Sequence, residues 1–388
     1  MKTYAALVFT VLLGTSYAQS RKPITIPFTF EDDFITLQVH IHDTPLLFVF
    51  DTGATSTVLD SATAVQIRQA PTSRMAAQGA SGSASYQRST LKTIRVNNLE
   101  LKNITAVHVP LTRLSSSFGK TIHGIIGNDI LLRYTVEIDY DSGVLRLYGA
   151  QALPPLHPYQ KIPFTFVHNI PIPAIALEVE LQNGARLTGT YLVDSGAGAT
   201  LIFNTPFAKD NNLYTHIGKT IPSSSKDLTS KSITHRGLIK QVALGNHAFS
   251  DVPVSLSETE SGVNALPGMA GIVGNEILKR FNWLLDYNRK TLYLKPNHHY
   301  AAAFAYPKCG FTYERVGDKI LVTEVTEASD AHKKGLRVGF EIEQFGDYSG
   351  SDFEKIRALL QADGTLLLKV RDLHGTSRTL EIVLQRLL

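Results

Sequence analysis

Residues 50–54 read Phe-Asp-Thr-Gly-Ala, and residues 193–197 read Val-Asp-Ser-Gly-Ala. Each stretch is followed by a second matching segment, Gly-Ile-Ile-Gly-Asn at 124–128 and Gly-Ile-Val-Gly-Asn at 271–275. The distance from the aspartate to the first glycine of that segment is 73 residues in one case and 77 in the other. The chain therefore contains two related units, each with one aspartate at the equivalent point.

The similarity between the two units extends well beyond these motifs. Ile-Pro-Phe-Thr-Phe at 26–30 recurs at 162–166, and Val-Glu-Ile-Asp-Tyr at 136–140 aligns with Trp-Leu-Leu-Asp-Tyr at 283–287. A unit of this length is a whole domain, because solenoid repeats span only about 20–50 residues. We predict domains at residues 19–150 and 159–296, which we call the first repeat and the second repeat. Pro154, Pro155 and Pro158 predict a stiff linker between them.

Alternating apolar and polar residues, as at 34–41 and 176–181, predict half-buried antiparallel strands in both repeats. A short helix is predicted at 128–133 and at 275–280, with Asn128 and Asn275 as N-caps. The fold class is therefore predicted to be mainly β, with two duplicated β-barrel lobes that pack as an internal pseudo-dimer.

Composition and charge exclude several classes of protein. The chain has 388 residues, 43% of them hydrophobic and 19% charged, and its formal net charge is only +4. Lysines and arginines are scattered, which argues against nucleic-acid binding.

The first 18 residues have the pattern of a signal peptide, with Lys2, an apolar run at 5–13 and small residues up to Ala18. The sequence therefore predicts a signal peptide at residues 1–18 and a periplasmic or secreted location. No stretch is long and apolar enough to predict a membrane span.

The aspartates in the two motifs suggest acid–base chemistry. A carboxylate on a loop between a buried strand and a turn of small residues can approach an equivalent partner closely. Two carboxylates at short separation share one proton, so that one acts as an acid and the other as a base toward a water held between them. Thr52 and Ser195 can hydrogen-bond across the seam, and Gly53 and Gly196 allow backbone amides to reach the carboxylates.

These segments resemble the signatures of aspartic peptidases of the pepsin and retropepsin type, and the resemblance covers residues 24–294. It implies two retropepsin-like lobes, each with one catalytic aspartate, which map onto Asp51 and Asp194. It also implies that the segments at 125–127 and 272–274 support the catalytic loops from behind. We therefore expect an exported aspartic endopeptidase that acts on polypeptides as a monomer and requires no cofactor or metal.

The alternative is a binding or scaffold protein that keeps the peptidase fold without activity and acts through its C-terminal unit. Both motifs retain their aspartate, which favours the enzyme. The tripeptide alone is a weak signal, since Asp-Ser-Gly also occurs at 141–143. No matching glycine segment follows Asp141, and we predict a hairpin turn there.

A flap that closes over the substrate is expected between the two signatures of each repeat. Residues 78–86 contain Gly79, Gly82 and Tyr86 among small residues, which is typical of a mobile hairpin tip. The equivalent stretch of the second repeat, residues 223–234, lacks glycine. The sequence therefore predicts one working flap, in the first repeat.

Residues 300–388 form a third unit that resembles a PDZ domain. Strands are predicted at 311–314 and 319–325, followed by a helix at 328–334, a strand, a helix at 351–361 capped by Ser351, and two final strands. The resemblance implies that Gly310 and Phe311 belong to a carboxylate-binding loop, and that the ligand is a C-terminal peptide added beside strand 311–314. The unit departs from the family pattern at Phe340, where aspartate is usual.

Two further chemistries find little support in the sequence. His40 and His42 lie on one face of a predicted strand, but no distant third ligand accompanies them, so a metal site is not expected. Cys309 is the only cysteine, so no disulfide can form within the chain, and nothing nearby predicts an activated thiolate.

Overall fold

The computed structural model describes residues 22–388 except residues 32, 80–81, 150–152, 227–230 and 351. The predicted signal peptide at 1–18 and the predicted cap Ser351 lie outside the described residues. Strands make up 49% of the described residues and helices 13%, which confirms the prediction of a mainly β protein. In the part of the chain that the structure describes, no helix combines the length and apolar character needed to span a membrane.

The first repeat is built mainly from strands, with three short helices among its described residues. Its elements are β1 (Ile24–Pro27), β2 (Thr29–Glu31), β3 (Phe34–Ile41), β4 (Thr44–Phe50), β5 (Thr57–Asp60), α1 (Ser61–Gln66), β6 (Ser73–Gln78), β7 (Ser83–Val96), β8 (Leu99–Val109), α2 (Thr112–Phe118), β9 (Gly124–Ile126), α3 (Asn128–Leu131), β10 (Thr135–Asp139) and β11 (Val144–Tyr148).

The second repeat follows the same plan. Its elements are β12 (Gln160–Pro163), β13 (Thr165–Phe166), β14 (Pro173–Glu180), β15 (Arg186–Val193), β16 (Leu201–Phe203), α4 (Thr205–Asp210), α5 (Leu213–His216), β17 (Ile221–Lys226), β18 (Lys231–Leu244), β19 (His247–Ser257), the 3-10 helix η1 (Val263–Ala265), β20 (Gly271–Val273), α6 (Asn275–Leu278), β21 (Phe281–Asp286) and β22 (Thr291–Pro296).

Each repeat folds into an eight-stranded sheet, and the two sheets have the same strand order. The order is β2-β3-β4-β9-β5-β8-β7-β6 in the first repeat and β13-β14-β15-β20-β16-β19-β18-β17 in the second. In both sheets the short strand of the glycine segment lies parallel to the strand that precedes the motif aspartate, β4 beside β9 and β15 beside β20. The two aspartates therefore leave their sheets at equivalent places.

A third sheet joins the two repeats. Its order is β1-β11-β10-β21-β22-β12, so β10 of the first repeat pairs with β21 of the second. In this pairing Val136 lies opposite Leu285 and Ile138 opposite Trp283, and all four side chains are buried. One hydrophobic core, which includes Phe50 and Val193, runs through both repeats. We call this six-stranded sheet the shared sheet.

The C-terminal unit has a separate sheet and a separate core. Its elements are β23 (Phe311–Val316), β24 (Lys319–Val325), α7 (Asp330–Lys333), β25 (Glu341–Phe345), α8 (Phe353–Gln361), β26 (Gly364–Arg371) and β27 (Ser377–Leu384). The five strands pair in chain order, and their core includes Phe345, Leu368 and Ile382. The order of elements agrees with the predicted order. The second helix begins at Phe353, with Asp352 at the N-cap position.

The segment that connects the second repeat to the C-terminal unit is held by a buried arginine. Arg280 donates through Nη1 to the carbonyl oxygens of Tyr300 (3.1 Å) and Ala302 (2.5 Å). Its guanidinium carbon lies 4.0 Å from the centre of the Phe304 ring, and Phe304 is buried. Farther along, the Leu387 amide donates to the Pro307 carbonyl (3.0 Å). Residues 300–307 therefore contact both of the units that they connect.

Candidate active site

Asp51 and Asp194 lie on loops that begin where a buried strand ends. The Asp51 amide, just after β4, donates to the carbonyl of Ile126 in β9 (3.0 Å). The Asp194 amide, just after β15, donates to the carbonyl of Val273 in β20 (3.1 Å). The glycine segments thus contact the backbone of both aspartates directly.

Glycine is required behind each loop because the chains approach so closely. A Cβ atom placed on Gly127 would lie 1.9 Å from the carbonyl oxygen of Asp51, and one on Gly274 would lie 2.3 Å from that of Ala199. Neither position has room for a side chain. In each repeat the glycine segment therefore packs directly against the loop that carries the motif aspartate.

A reciprocal hydrogen-bond network connects the two loops. The Thr52 amide donates to Ser195 Oγ (3.1 Å), and the Ser195 amide donates to Thr52 Oγ1 (3.0 Å). Each hydroxyl also donates to the opposite strand, Thr52 Oγ1 to the Val193 carbonyl (2.9 Å) and Ser195 Oγ to the Phe50 carbonyl (3.3 Å). Thr52 and Ser195 are fully buried. The hydrogen bonds expected between them from the sequence are present.

The two carboxyl groups lie close together, and each one influences the pKa of the other. The Gly53 amide donates to Asp51 Oδ1 (2.7 Å), and the Gly196 amide donates to Asp194 Oδ1 (2.8 Å). A Cβ atom on Gly53 would lie 2.7 Å from the carboxyl carbon of Asp194. A Cβ atom on Gly196 would lie 2.3 Å from that of Asp51. Each glycine therefore packs against the opposite aspartate.

This environment favours a shared proton. Burial raises the pKa of both carboxyl groups above the ordinary value of 3.8, and the charge of Asp194 raises the pKa of Asp51 further. Backbone donors, among them the Gly53 and Gly196 amides, oppose this rise because they stabilise the ionised forms. The pair therefore keeps one proton at pH values where isolated aspartates are fully ionised. Such a pair can donate a proton to one substrate atom and accept one from water.

The predicted flap is a hairpin formed by β6 and β7. The Gly79 amide donates to the Gly82 carbonyl (2.8 Å), and Met75 lies opposite Tyr86 in the strand register. Tyr86 is half-buried in an apolar cluster that also contains Ala54, which follows the first Asp-Thr-Gly. Residues 80–81 at the tip lie outside the described residues. The hairpin is thus connected by side-chain packing to the Asp51 loop.

The base of the hairpin tip also contacts the other repeat. The Val263 amide, in η1 of the second repeat, donates to the Gly79 carbonyl (3.1 Å). Gly79 belongs to the first repeat, so this hydrogen bond joins the hairpin of the first repeat to the second repeat.

Val263→Pro should loosen the β6–β7 hairpin, because it removes the amide that donates to the Gly79 carbonyl. Proline is otherwise well tolerated at the first position of a helical turn. A hydrogen bond contributes about 0.5–1.5 kcal/mol, so we expect amide exchange in β6 and β7 to accelerate about 2- to 10-fold. Hydrogen–deuterium exchange with mass spectrometry measures this. Val263→Ala, which keeps the amide, is the control, and equal acceleration in both variants would contradict the prediction.

The second repeat has a hairpin at the equivalent place, although its sequence predicts no flap there. Strands β17 and β18 pair from Ile221 opposite Arg236 to Lys226 opposite Lys231. Backbone pairing of this kind requires no glycine in the strands, so the absence of glycine from residues 223–234 did not exclude a hairpin. Residues 227–230 lie outside the described residues.

The third Asp-Ser-Gly is a turn, as predicted. Strands β10 and β11 form an antiparallel hairpin, and Gly143 has a positive φ of 64° in the connecting turn. The Ser142 amide donates to Asp139 Oδ1 (3.1 Å). Asp141 accepts a hydrogen bond from the Asn282 side chain (2.7 Å), so it is used in the contact between the repeats.

The residues predicted for a carboxylate-binding loop lie at the start of β23. Gly310 has a φ of 72°, and its carbonyl accepts a hydrogen bond from the Thr326 amide (2.8 Å). Phe311 is buried in the core of the C-terminal unit. Burial raises the pKa of the neighbouring Cys309 thiol, which disfavours a reactive thiolate.

No group of three or more His, Cys, Asp or Glu side chains within the described residues is arranged to hold a metal ion. His40 lies in β3, but His42, which was predicted on the same strand, lies in the turn after it with a φ of 49°.

Sequence reasoning missed the role of Asn128 and Asn275. Both were predicted as helix N-caps, but Gly127 and Gly274 occupy those positions and the asparagines are the first helical residues. Their side chains contact the opposite repeat through Tyr287 and Tyr140. The one available signal was the recurrence of asparagine and tyrosine at the same offset of 147 residues.

One part of the sequence matches a known protein family. Residues 37–130 match the aspartyl protease family. Among solved structures, the chain is similar to the aspartic proteinase from Irpex lacteus, with a TM-score of 0.44 and 15% sequence identity over 72% of this chain and 98% of that one. No curated protein matches the sequence. The chain therefore contains an aspartyl protease family domain at residues 37–130.

Proposed function

We propose that the protein is an exported aspartic endopeptidase that hydrolyses peptide bonds with a water activated between Asp51 and Asp194. The observation that carries the proposal is the pair of half-buried carboxyl groups on equivalent loops of two repeats, each beside the glycine of the opposite motif. Their shared proton supplies the acid and the base that peptide hydrolysis requires.

The chemistry proceeds without a covalent intermediate with the protein. The ionised carboxylate takes a proton from the water, whose oxygen bonds to the peptide carbonyl carbon, while the protonated partner donates to the carbonyl oxygen. In the resulting tetrahedral gem-diol, the carboxyl that took the water proton donates it to the nitrogen as the carbon–nitrogen bond breaks. The other carboxylate takes a proton from one gem-diol hydroxyl, whose oxygen becomes a carbonyl oxygen of the new carboxyl group. The pair returns to its singly protonated state, so atoms and charge balance over one turnover.

The same proposal assigns residues 19–150 and 159–296 as duplicated lobes of an internal pseudo-dimer, with residues 1–18 as the export signal. The identical strand orders of the two eight-stranded sheets support the duplication. Residues 300–388 are proposed as a PDZ-like unit that binds C-terminal peptides, with the order of its elements as support. Because one chain supplies both aspartates, a monomer is sufficient for activity.

Two apolar clusters suggest which substrates the site accepts. One contains Ala54, Met75 and Tyr86, and the other contains Ala197 and Val263. Ala54 and Ala197 each lie three residues after a motif aspartate, so the clusters begin on the two catalytic loops. We propose that apolar side chains of the substrate bind on both sides of the scissile bond.

We expect a bell-shaped pH dependence of kcat/KM that is centred above pH 3.8, the ordinary pKa of aspartate. At low pH both carboxyls are protonated, no base remains, and activity falls as pH decreases. At high pH both are ionised, no acid remains, and activity falls as pH increases. Because burial raises both pKa values, the singly protonated window moves upward. Initial rates on a quenched peptide with apolar residues at the scissile bond measure this, and an optimum below 3.8 would contradict it.

The direct test of the function is digestion of a heat-denatured protein by the purified chain, with the products sequenced. The proposal predicts cleavage at internal peptide bonds within roughly pH 3–8, a range that brackets shifted carboxyl pKa values. Failure to cleave anywhere in this range would favour the alternative, an inactive peptidase fold that acts as a binding or scaffold protein. Titration with C-terminal peptides then tests the PDZ-like unit separately.

A further inference from the structure

Asn128 connects the Asp51 loop to the opposite repeat. Its amide donates to the Ala54 carbonyl (3.1 Å), and the Ala54 amide donates to the Asp51 carbonyl (3.2 Å). Its side chain accepts a hydrogen bond from Tyr287 Oη (3.1 Å) and donates to the Pro171 carbonyl (3.0 Å), both in the second repeat. An unbroken series of hydrogen bonds therefore joins Asp51 to the second repeat.

Asn275 makes the equivalent connection in the other direction. Its amide donates to the Ala197 carbonyl (2.7 Å), and the Ala197 amide donates to the Asp194 carbonyl (3.3 Å). Its side chain accepts from Tyr140 Oη (2.7 Å) and donates to the Asp33 carbonyl (2.6 Å), both in the first repeat. The two asparagines are fully buried, with 1% and 0% of their surface exposed.

We propose that the Asn128–Tyr287 and Asn275–Tyr140 pairs are positioning residues that align the two catalytic loops, each by fastening one loop to the opposite repeat. The inference rests on the proposed function. The pairs do not touch the carboxyl groups and act through Ala54 and Ala197. The Thr52–Ser195 network holds the loops near the aspartates, and the asparagine–tyrosine pairs hold the far end of each loop.

The shared sheet explains why two tyrosines can serve the two loops reciprocally. Tyr140 and Tyr287 each follow the last residue of a central strand, β10 and β21, and these strands pair with each other. Any shift of one strand along the other would move both hydroxyl groups relative to both asparagines. A change in the pairing of β10 with β21 would therefore change the positions of both catalytic loops together.

Tyr140→Phe and Tyr287→Phe test the proposal, because each removes one hydroxyl and leaves a buried asparagine oxygen without its donor. A displacement of about 1 Å in a catalytic group costs on the order of 100-fold in rate, so we expect kcat to fall about 10- to 100-fold. KM should stay within about twofold, because ground-state substrate contacts are unchanged. The two limbs of the pH profile should move closer together, because carboxyl groups that separate interact less.

Tyr148→Phe is the matched control. Tyr148 Oη donates to Glu137 Oε2 (2.6 Å) and is buried in the same shared sheet, but it does not contact either loop or either asparagine. We expect this variant to lower the temperature of unfolding by a similar amount while kcat and the pH profile remain those of the wild type. An equal loss of kcat in Tyr148→Phe would overturn the proposal in favour of a general structural effect.

A second readout separates this inference from the proposed function. Carboxyl titration followed by NMR on protein labelled with ¹³C at the aspartate carboxyl measures the gap between the two apparent pKa values directly. We expect the gap to narrow in Tyr140→Phe and Tyr287→Phe and not in Tyr148→Phe, even if the wild type cleaves no peptide. Folded tyrosine variants with an unchanged gap would overturn the proposal.

Should Tyr140→Phe not fold, Tyr140→Phe with Asn275→Leu removes both partners of the hydrogen bond, so that the only oxygen left without its donor is the carbonyl of the half-buried Asp33. We expect this double variant to fold and to show the same narrowed gap. A folded double variant with the wild-type gap and wild-type kcat would overturn the proposal.

Discussion

Asp51→Asn and Asp194→Asn should each lower kcat/KM on a denatured protein substrate on the order of 1,000-fold, which is the scale of general acid–base catalysis. Asparagine preserves the shape of the side chain and an oxygen that can accept from Gly53 or Gly196. It cannot take up or release the shared proton. The loss of kcat/KM in these variants therefore reports the proton-transfer role of the pair. Initial rates on an internally quenched fluorescent peptide measure this loss.

Asp141→Asn is the control, because Asp141 is the aspartate of the third Asp-Ser-Gly and lies in a hairpin turn. We expect its activity to stay within about twofold of the wild type, since it takes no part in proton transfer at the pair. Undiminished cleavage by either Asp51→Asn or Asp194→Asn, with both folded by circular dichroism, would refute the catalytic assignment. So would a loss in Asp141→Asn as large as theirs.

Gly127→Ala should destabilise the protein by about 3 kcal/mol, the upper part of the range for overpacked interior sites. The added carbon would lie 1.9 Å from the Asp51 carbonyl oxygen and 3.0 Å from that of Ala54, and both atoms belong to the catalytic loop. Only movement of the loop relieves this overlap. We therefore expect activity to fall about 100-fold or more even where the variant remains folded. Urea unfolding and initial rates measure the two effects.

Gly149→Ala is the matched control, because Gly149 is exposed and no atom lies within 4 Å of the added carbon. Its free energy of unfolding should change by less than about 0.5 kcal/mol. Gly274→Ala should behave like Gly127→Ala, since its added carbon would lie 2.3 Å from the Ala199 carbonyl oxygen. A stable, fully active Gly127→Ala variant would show that the glycine segment does not support the loop.

The sequence predicts those features that have a periodic local pattern or a motif that occurs in both repeats. The alternating residues at 34–41 predict β3 because one face of that strand is buried, and Ile35, Leu37 and Val39 are indeed inside. The two motif aspartates could be predicted to meet because they occupy equivalent points of two similar stretches of sequence. The turn at Asp141 could be recognised because no glycine segment follows it.

Other features depend on contacts between residues that are distant in sequence. Asn128 has the local pattern of a helix cap, but its side-chain partners are Pro171 and Tyr287, which lie 43 and 159 residues away. The β17–β18 hairpin depends on backbone pairing, to which glycine content is a poor guide. Arginine is usually exposed, yet Arg280 is buried and donates to the carbonyl groups of residues 300 and 302.

The contacts of Arg280 also determine where the chain can be divided. A boundary drawn at residue 296, where the second repeat ends by sequence similarity, would remove the Tyr300 and Ala302 carbonyls and the Phe304 ring from the guanidinium. Arg280 Nε would still donate to the Glu276 carbonyl, but Nη1 would lose both of its acceptors, and removing the partners of a buried charge is strongly destabilising. Residues 297–306 therefore contribute to the stability of the second repeat, and a shortened protein that retains them should be more stable than one ending at 296.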